Sequence, residues 1–128
     1  MVSRAQCLVI RGNKILMAKH CENEQEYWCL PGGGIEPDEL PSEAALRELQ
    51  EECNIVGKIV RETSIITFYP DYKHYSFLID IGDQEPKVLE AGTQPFWTTK
   101  EELLTKSLFP SWYRWWFDLL EKLGEIPK

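Results

Sequence analysis

The stretch that most constrains what this chain can become is residues 33–55, GGIEPDELPSEAALRELQEECNI, in which glycines lead into a proline-opened acidic segment. Pro41 suits a first helical position, and a helix starting there puts Glu48, Glu51 and Glu52 at i, i+3 and i+4 on one side. Ala45, Leu46, Leu49 and Cys53 fall on another side, centred roughly 110° from the glutamates at about 100° per residue. The segment therefore reads as a helix buried along one stripe and acidic along the next. Like charges at these spacings cost roughly a few tenths of a kcal/mol each, more in a cleft, so a counter-ion is the natural resolution. An all-oxygen set of carboxylates suits Mg²⁺ or Mn²⁺. Taken alone, the same spacing also describes an ordinary solvated helix face.

The pattern on either side predicts strands. Gln6–Arg11 and Lys14–Lys19 read as a hairpin turned at Gly12-Asn13. Residues 20–26, HCENEQE, read as a polar loop, followed by a strand over Tyr27–Leu30 that Pro31-Gly32-Gly33-Gly34 closes as a turn. Leu40 is an unusual N-cap for the acidic helix. Lys58–Tyr69 and His74–Ile81 form a strand pair around Pro70-Asp71-Tyr72-Lys73, with short strands near Lys87–Leu89 and Pro95–Thr98. Trp112, Trp115, Trp116, Leu119, Leu120 and Leu123 recur at helical spacing, which predicts a second helix packed on the sheet, and the tail Gly124–Lys128 is expected to fray. Strands on both sides of one helix, with another helix at the end, give the α/β class: a mixed β-sheet covered by helices on both faces.

Composition bounds the rest. With 128 residues, 43% of them hydrophobic, there is apolar material for one core and not two, so residues 1–128 are expected to form a single domain. No repeat, low-complexity stretch or composition break divides the chain. A net charge of −7 and a pI near 4.9 argue against polymeric nucleic acid as partner. A small phosphate-bearing substrate remains compatible if divalent metal stands between the glutamates and the phosphates. No apolar run reaches membrane-span length and the N-terminus does not read as a signal peptide, so no membrane partner and a cytoplasmic location are expected. Cys7, Cys21, Cys29 and Cys53 lack CxxC or zinc-like spacing and are read as reduced thiols, with Cys7 and Cys53 in the core.

The acidic segment also resembles a known family. Gly33, five residues, Glu39, seven residues, then Arg47-Glu48-Leu49-Gln50-Glu51-Glu52-Cys53-Asn54-Ile55 is similar to the Nudix box, and Trp28-Cys29-Leu30-Pro31-Gly32-Gly33 is similar to the strand and loop that precede it. The single departure is Asn54 in place of glycine, at a position after the helix where a left-handed residue is wanted and Asn is the next best choice. A chance match of these identities is on the order of 10⁻⁵ per chain from composition. The resemblance implies an α/β/α sandwich and a metal-dependent hydrolase that cleaves a phosphoanhydride bond. It implies metal ligation by the Gly33 carbonyl, Glu48, Glu51 and Glu52, and catalytic roles for Glu48, Glu51, Glu52 and Arg47, the last orienting the glutamates. Arg47 also has a plainer reading, as a surface ion pair with Glu43 and Glu51. The base is open between Glu48, Glu51, Glu52 and a residue outside the box, and Glu39 is read as fixing the loop to the helix. Glu85 and Glu90 are the nearest downstream acidic candidates for a further ligand, and Phe96 stands where some members carry a carboxylate.

Substrates of the resembling family are nucleoside diphosphates linked to another moiety, such as nucleoside triphosphates or ADP-ribose, so a small nucleotide-type substrate is implied. Pro70, fifteen residues beyond Ile55, resembles the ADP-ribose branch, while Tyr72, seventeen beyond it, resembles the dinucleoside polyphosphate branch. The two cues compete, and Pro70-Asp71 also reads as a plain turn. Lys19, Tyr69 and Phe96 are candidates for substrate contact, with His20 beside Lys19 within reach of a phosphate. A homodimer is implied as plausible by the resemblance. Two other classes compete with the hydrolase: a catalytically silent Nudix-like nucleotide sensor, and a structural module whose acidic face only buffers cations.

Overall fold

In the computed structural model, which describes residues 3–68, 71–88, 93–103, 105, 113–124 and 126, strand alternation sorts the apolar residues into two cores. The strands are β1 (Arg4–Leu8), β2 (Ile10–Arg11), β3 (Lys14–Glu22), β4 (Gln25–Cys29), β5 (Gly32–Gly34), β6 (Lys58–Phe68), β7 (Tyr72–Asp80) and β8 (Thr93–Thr99); the helices are α1 (Pro41–Cys53), α2 (Lys100–Leu103) and α3 (Tyr113–Lys122). Ala5, Cys7, Val9, Leu16, Phe77, Ile79 and Ile81 join α1 in the first core. Leu8, Ile15 and Met17, one residue out of phase, join α3 and Leu103 in the second. Helices therefore lie on both faces of the sheets, as the alternation implied.

Two sheets share this middle layer. One runs β5-β1-β7-β6, with β1 parallel to β7 and both outer pairings antiparallel, so it is mixed. The other is antiparallel: β3 pairs with β8 along one edge and with β2 and then β4 along the other. The expected single sheet is thus divided.

Three local expectations need correction. The polar run 20–26 is not a loop; it continues β3 and β4 as a hairpin, with His20 opposite Tyr27 and a turn at Asn23 and Glu24, both at positive φ (52° and 65°). Polar side chains on both faces hid the strand period, because cross-strand hydrogen bonds rather than burial carry the pairing. Gly32–Gly34 is a strand rather than a closing turn, since β1 accepts it as an antiparallel partner. A Cβ on Gly32 would stand 2.3 Å from the Ala5 carbonyl oxygen, and this close backbone approach is what the glycine permits. Residues 85–88 carry no strand, Lys87 instead donating its N–H to the Cys53 carbonyl at 2.8 Å; Leu89 lies outside the described residues, as do Tyr69, Pro70, Glu90 and Trp112.

α1 forms where proline and a return hydrogen bond set its start. Pro41 needs no N–H partner at the first position, and the Glu43 carboxylate accepts the Leu40 N–H at 2.8 Å, supplying what the Leu40 side chain does not. Asn54 ends the helix in the left-handed region (φ 57°, ψ 40°) and donates its N–H to Gln50 at 3.0 Å. Ala44, Ala45, Leu49 and Cys53 are wholly buried, and the Cys7 thiol donates to the Ala45 carbonyl at 3.1 Å. Burial pushes the Cys53 thiol up to about 12 and Cys7 well above its ordinary value, so both stay protonated; none of the four cysteines is bridged.

The apolar stripe of α3 is narrower than its sequence suggested. Trp116, Phe117 and Leu120 are buried and the Trp116 indole donates to Ser64 Oγ at 3.1 Å, whereas Trp115 (60%), Leu119 (38%) and Leu123 (63%) are exposed. Phe117 takes the place given to Trp115, since the helix is rotated by about one residue against the sheet. Ile126 is 4% exposed within the second core, so the tail is anchored there rather than frayed throughout. Lys100 ties this helix to the end of β8 through Asp118, at 2.8 Å, and Glu121. Among the described residues no helix is long and apolar enough to cross a membrane.

Candidate active site

The glutamates of α1 face the glycine strand β5, and Arg47 connects the two. Its Nε and Nη2 donate to the two oxygens of Glu39 at 2.8 and 3.0 Å, a bidentate grip. Nη2 also donates to the Gly34 carbonyl at 3.0 Å, and Nη1 to Glu48 at 2.9 Å and Glu51 at 3.3 Å. Glu39 in turn accepts the Glu36 N–H at 3.0 Å. One guanidinium therefore binds the loop before the helix, the glycine strand and two carboxylates of the helix. Arg47 and then the Glu36 amide hold the Glu39 carboxyl below its ordinary value, and the same carboxylates raise the Arg47 guanidinium further above its own. Of the plainer reading of Arg47 as an ion pair with Glu43 and Glu51, the Glu51 half is present at 3.3 Å, while Glu43 is spent on the helix start.

The three glutamates occupy three different environments. Glu51 is half exposed. Glu48 is mostly buried and lies so close to the backbone of Gly33 that a Cβ there would meet its Oε1 at 2.5 Å. Glu52 is 5% exposed; its Oε1 accepts the Gly32 N–H at 3.2 Å, and its Oε2 stands 4.0 Å from His20 Nε2. A buried carboxylate is costly to keep unless its surroundings compensate the charge, so this is not a solvated helix face.

His20 is the neighbour that sequence reasoning undervalued. Its ring stacks on Tyr27 (centroids 5.1 Å, planes within 10°), and Nδ1 lies 3.4 Å from the Thr93 hydroxyl. The register that brings these groups together comes from β3–β4 and β3–β8 pairing, which a loop over residues 20–26 conceals.

Lys19 and Phe96 lie elsewhere. One residue out of phase with His20, Lys19 sits over the Trp28 ring at 5.7 Å and 3.7 Å from Glu26, while Phe96 packs edge-on against Trp28 (4.2 Å, 80°) beside the second core. This aromatic pair and its lysine stand on the face away from α1. Glu85 is held by Arg11 at 2.6 Å, in a loop that Arg11 also grips through the Gly82 and Gln84 carbonyls. Tyr69 and Glu90 are outside the described residues.

Whether these residues suit a divalent cation turns on donors and space. Among the described residues, no three Asp, Glu, His or Cys side chains already converge at coordinating distance. Glu48 and Glu51 are drawn to Arg47, and Glu52 to Gly32. The fit is one of kind: three carboxylates and a glycine backbone, all hard oxygen donors, flank one strip of α1 and β5, and the glycine leaves the space that any side chain would fill.

Comparison with known proteins bears on the family and the fold. A family model described as NUDIX domain matches residues 1–120. The chain is similar to human diphosphoinositol polyphosphate phosphohydrolase NUDT4B, 36% identical over 78 residues that cover 59% of this chain and 42% of that protein. It is also similar to mouse diphosphoinositol polyphosphate phosphohydrolase 3-alpha, 35% identical over 85 residues, 62% and 51% of the two chains. The chain thus spans about half the length of the curated relatives it matches, or less. Among solved structures, a NUDIX hydrolase from Nitrosomonas europaea superposes with a TM-score of 0.81 at 18% identity, covering 98% of this chain and 90% of the other. A MutT structure from work on Aliivibrio salmonicida and Vibrio cholerae gives 0.79 at 19% identity, covering 94% and 98%. At such identities the likeness establishes the fold.

Proposed function

The chain belongs to the NUDIX domain family, and from that premise we propose that it is a metal-dependent hydrolase of a phosphoanhydride bond in a nucleoside diphosphate linked to another moiety, such as a nucleoside triphosphate or ADP-ribose. The observation that carries the reading is the junction of Gly33 and Glu48, where a backbone without a side chain lies against a mostly buried carboxylate that Arg47 holds. An acidic structural module has no use for that cradle.

In the proposed reaction a water oxygen forms a bond to phosphorus, the bridging P–O bond breaks, and its electron pair leaves on the departing phosphate. The water proton passes to a carboxylate of α1, for which Glu48, Glu51 and Glu52 are the candidates. Glu48, Glu51, Glu52 and the Gly33 carbonyl would hold Mg²⁺ or Mn²⁺. The chemistry supplied by the bound ion is neutralisation of the phosphate oxygens and Lewis-acid assistance to the attacking water. Arg47 acts as a positioning residue, fixing Glu48 and Glu51 against the loop.

A nucleotide is favoured over a diphosphoinositol polyphosphate, the substrate class named for the curated relatives. A ring crowded with phosphates calls for several free Lys and Arg donors. Here the balance is acidic, with 21 Asp and Glu against 14 Lys and Arg and a net charge of −7. The unbridged thiols also support the proposal of a cytoplasmic setting.

The test is incubation with Mg²⁺ or Mn²⁺ and a panel of nucleoside triphosphates, ADP-ribose, dinucleoside polyphosphates, nucleotide sugars and a diphosphoinositol polyphosphate. Metal-dependent turnover that is lost in Glu52→Gln is expected. Silence across the panel, with metal and nucleotide still bound, would replace the hydrolase by a nucleotide sensor.

A further inference from the structure

Glu52 is the most buried of the three glutamates, and its surroundings are built from outside the box. One oxygen takes the Gly32 amide at 3.2 Å; the other faces His20 Nε2 at 4.0 Å. The imidazole has little freedom to turn away. Tyr27 covers one ring face at 5.1 Å in a nearly parallel stack, the Thr93 hydroxyl stands 3.4 Å from Nδ1, and Thr93 is itself 5% exposed. Both Tyr27 and Thr93 sit directly across from His20 in the strand register, one on each side of β3. Three strands thus hold the imidazole beside Glu52, with Nε2 4.0 Å from Oε2.

We propose that His20 is a positioning residue for Glu52: clamped by Tyr27 and Thr93, it presents Nε2 to the second carboxylate oxygen and, with the Gly32 amide on the first, sets the orientation in which Glu52 binds the divalent cation. This rests on the reading of Glu52 as a metal ligand. Groups that orient a ligand from behind are worth about 10- to 100-fold in metal affinity or activity. The role asks for a donor nitrogen at the Nε2 position and not for a titrating ring, so a glutamine, whose amide nitrogen reaches a similar point, should serve in its place.

The experiment measures Mn²⁺ binding to the substrate-free protein by the free-ion electron paramagnetic resonance signal, together with kcat and KM on the best substrate of the panel. His20→Ala should weaken Mn²⁺ binding by about 10-fold and lower kcat with little change in KM. His20→Gln should recover most of both, and His20→Ala should add nothing in a Glu52→Gln background. Thermal unfolding of each variant confirms that a folded protein is compared. Parent-like Mn²⁺ affinity in His20→Ala, within twofold, would overturn the role, and so would a His20→Gln variant as impaired as His20→Ala. A parent protein that binds no Mn²⁺ would overturn the metal reading of Glu52 and this role with it. That outcome is distinct from a parent and a His20→Ala variant that bind equally well.

Discussion

Gly32 and Gly33 are neighbours in one short strand, yet adding a methyl group to each should have opposite consequences. At Gly33 the new Cβ would meet Glu48 Oε1 at 2.5 Å, Cδ at 2.6 Å and Oε2 at 2.9 Å, all at the far end of a flexible side chain. Ordinary contact begins near 3.4 Å, so the carboxylate must swing away by roughly 1 Å while the backbone stays. The loss is the 2.9 Å bond from Arg47 to Glu48, about 1 kcal/mol for a charge-assisted pair near the surface, with Arg47 still gripping Glu39 and Gly34. Restricting the unfolded chain by Gly→Ala returns roughly half of that or more. Stability of Gly33→Ala should therefore fall by no more than about 1 kcal/mol. Activity should drop on the order of 100-fold, because a group misplaced by about 1 Å in an active site costs that much. At Gly32 the Cβ would meet the Ala5 carbonyl oxygen at 2.3 Å and the Gln6 Cα at 2.7 Å, both backbone atoms of β1. Only separation of β5 from β1 relieves that overlap, at about 3 kcal/mol or more. Urea unfolding gives the stabilities, and kcat/KM on the best substrate gives the activity. A Gly33→Ala variant with parent activity, or one that loses as much stability as Gly32→Ala, would refute the argument that the glycine serves the glutamate rather than the strand.

Leu49 is wholly buried between α1 and the first core, so Leu49→Ala should cost about 2–5 kcal/mol in urea unfolding, well above Leu46→Ala at the edge of that core. Asn54 holds a left-handed φ of 57°, and Asn54→Val should destabilise by about 1–2 kcal/mol, whereas Asn54→Gly should be neutral or better; equal effects of the two would remove the backbone explanation. His74 is 6% exposed among Phe68 and Tyr72, and burial, aided by Arg4, pushes it down to about 4. The unfolded chain binds the extra proton between about pH 6.5 and 4. Stability from this group is complete above 6.5, falls as pH drops through that window by at most roughly 3 kcal/mol, and levels off below it. Unfolding free energy measured from pH 7 to 4 should fall less steeply in His74→Gln than in the parent, and an unchanged slope would exclude His74 as the cause.

What the sequence determined by itself is whatever depends on spacing along one helix or on backbone chemistry at one residue. Glu48, Glu51 and Glu52 had to share a side of α1 because 3.6 residues make a turn; Pro41 and Asn54 had to mark its ends because one lacks an N–H and the other tolerates positive φ. Short apolar runs announced strands, and their order around one helix with a second at the end announced helices on both faces, which the two cores bear out. The tertiary structure alone decided which of three equivalent-looking glutamates is buried. Glu52 and not Glu51 meets Gly32 and His20, because the pairing of β5 with β1, and of β3 with β4 and β8, carries those groups across the chain. It decided likewise that Arg47 serves Glu39 and Gly34 rather than Glu43, and that Phe117 rather than Trp115 faces the sheet. Helical spacing repeats over a few residues and is written locally. Strand register joins distant segments through backbone groups that all residues share, so side-chain identity leaves it nearly silent where both faces are polar, as in residues 20–26.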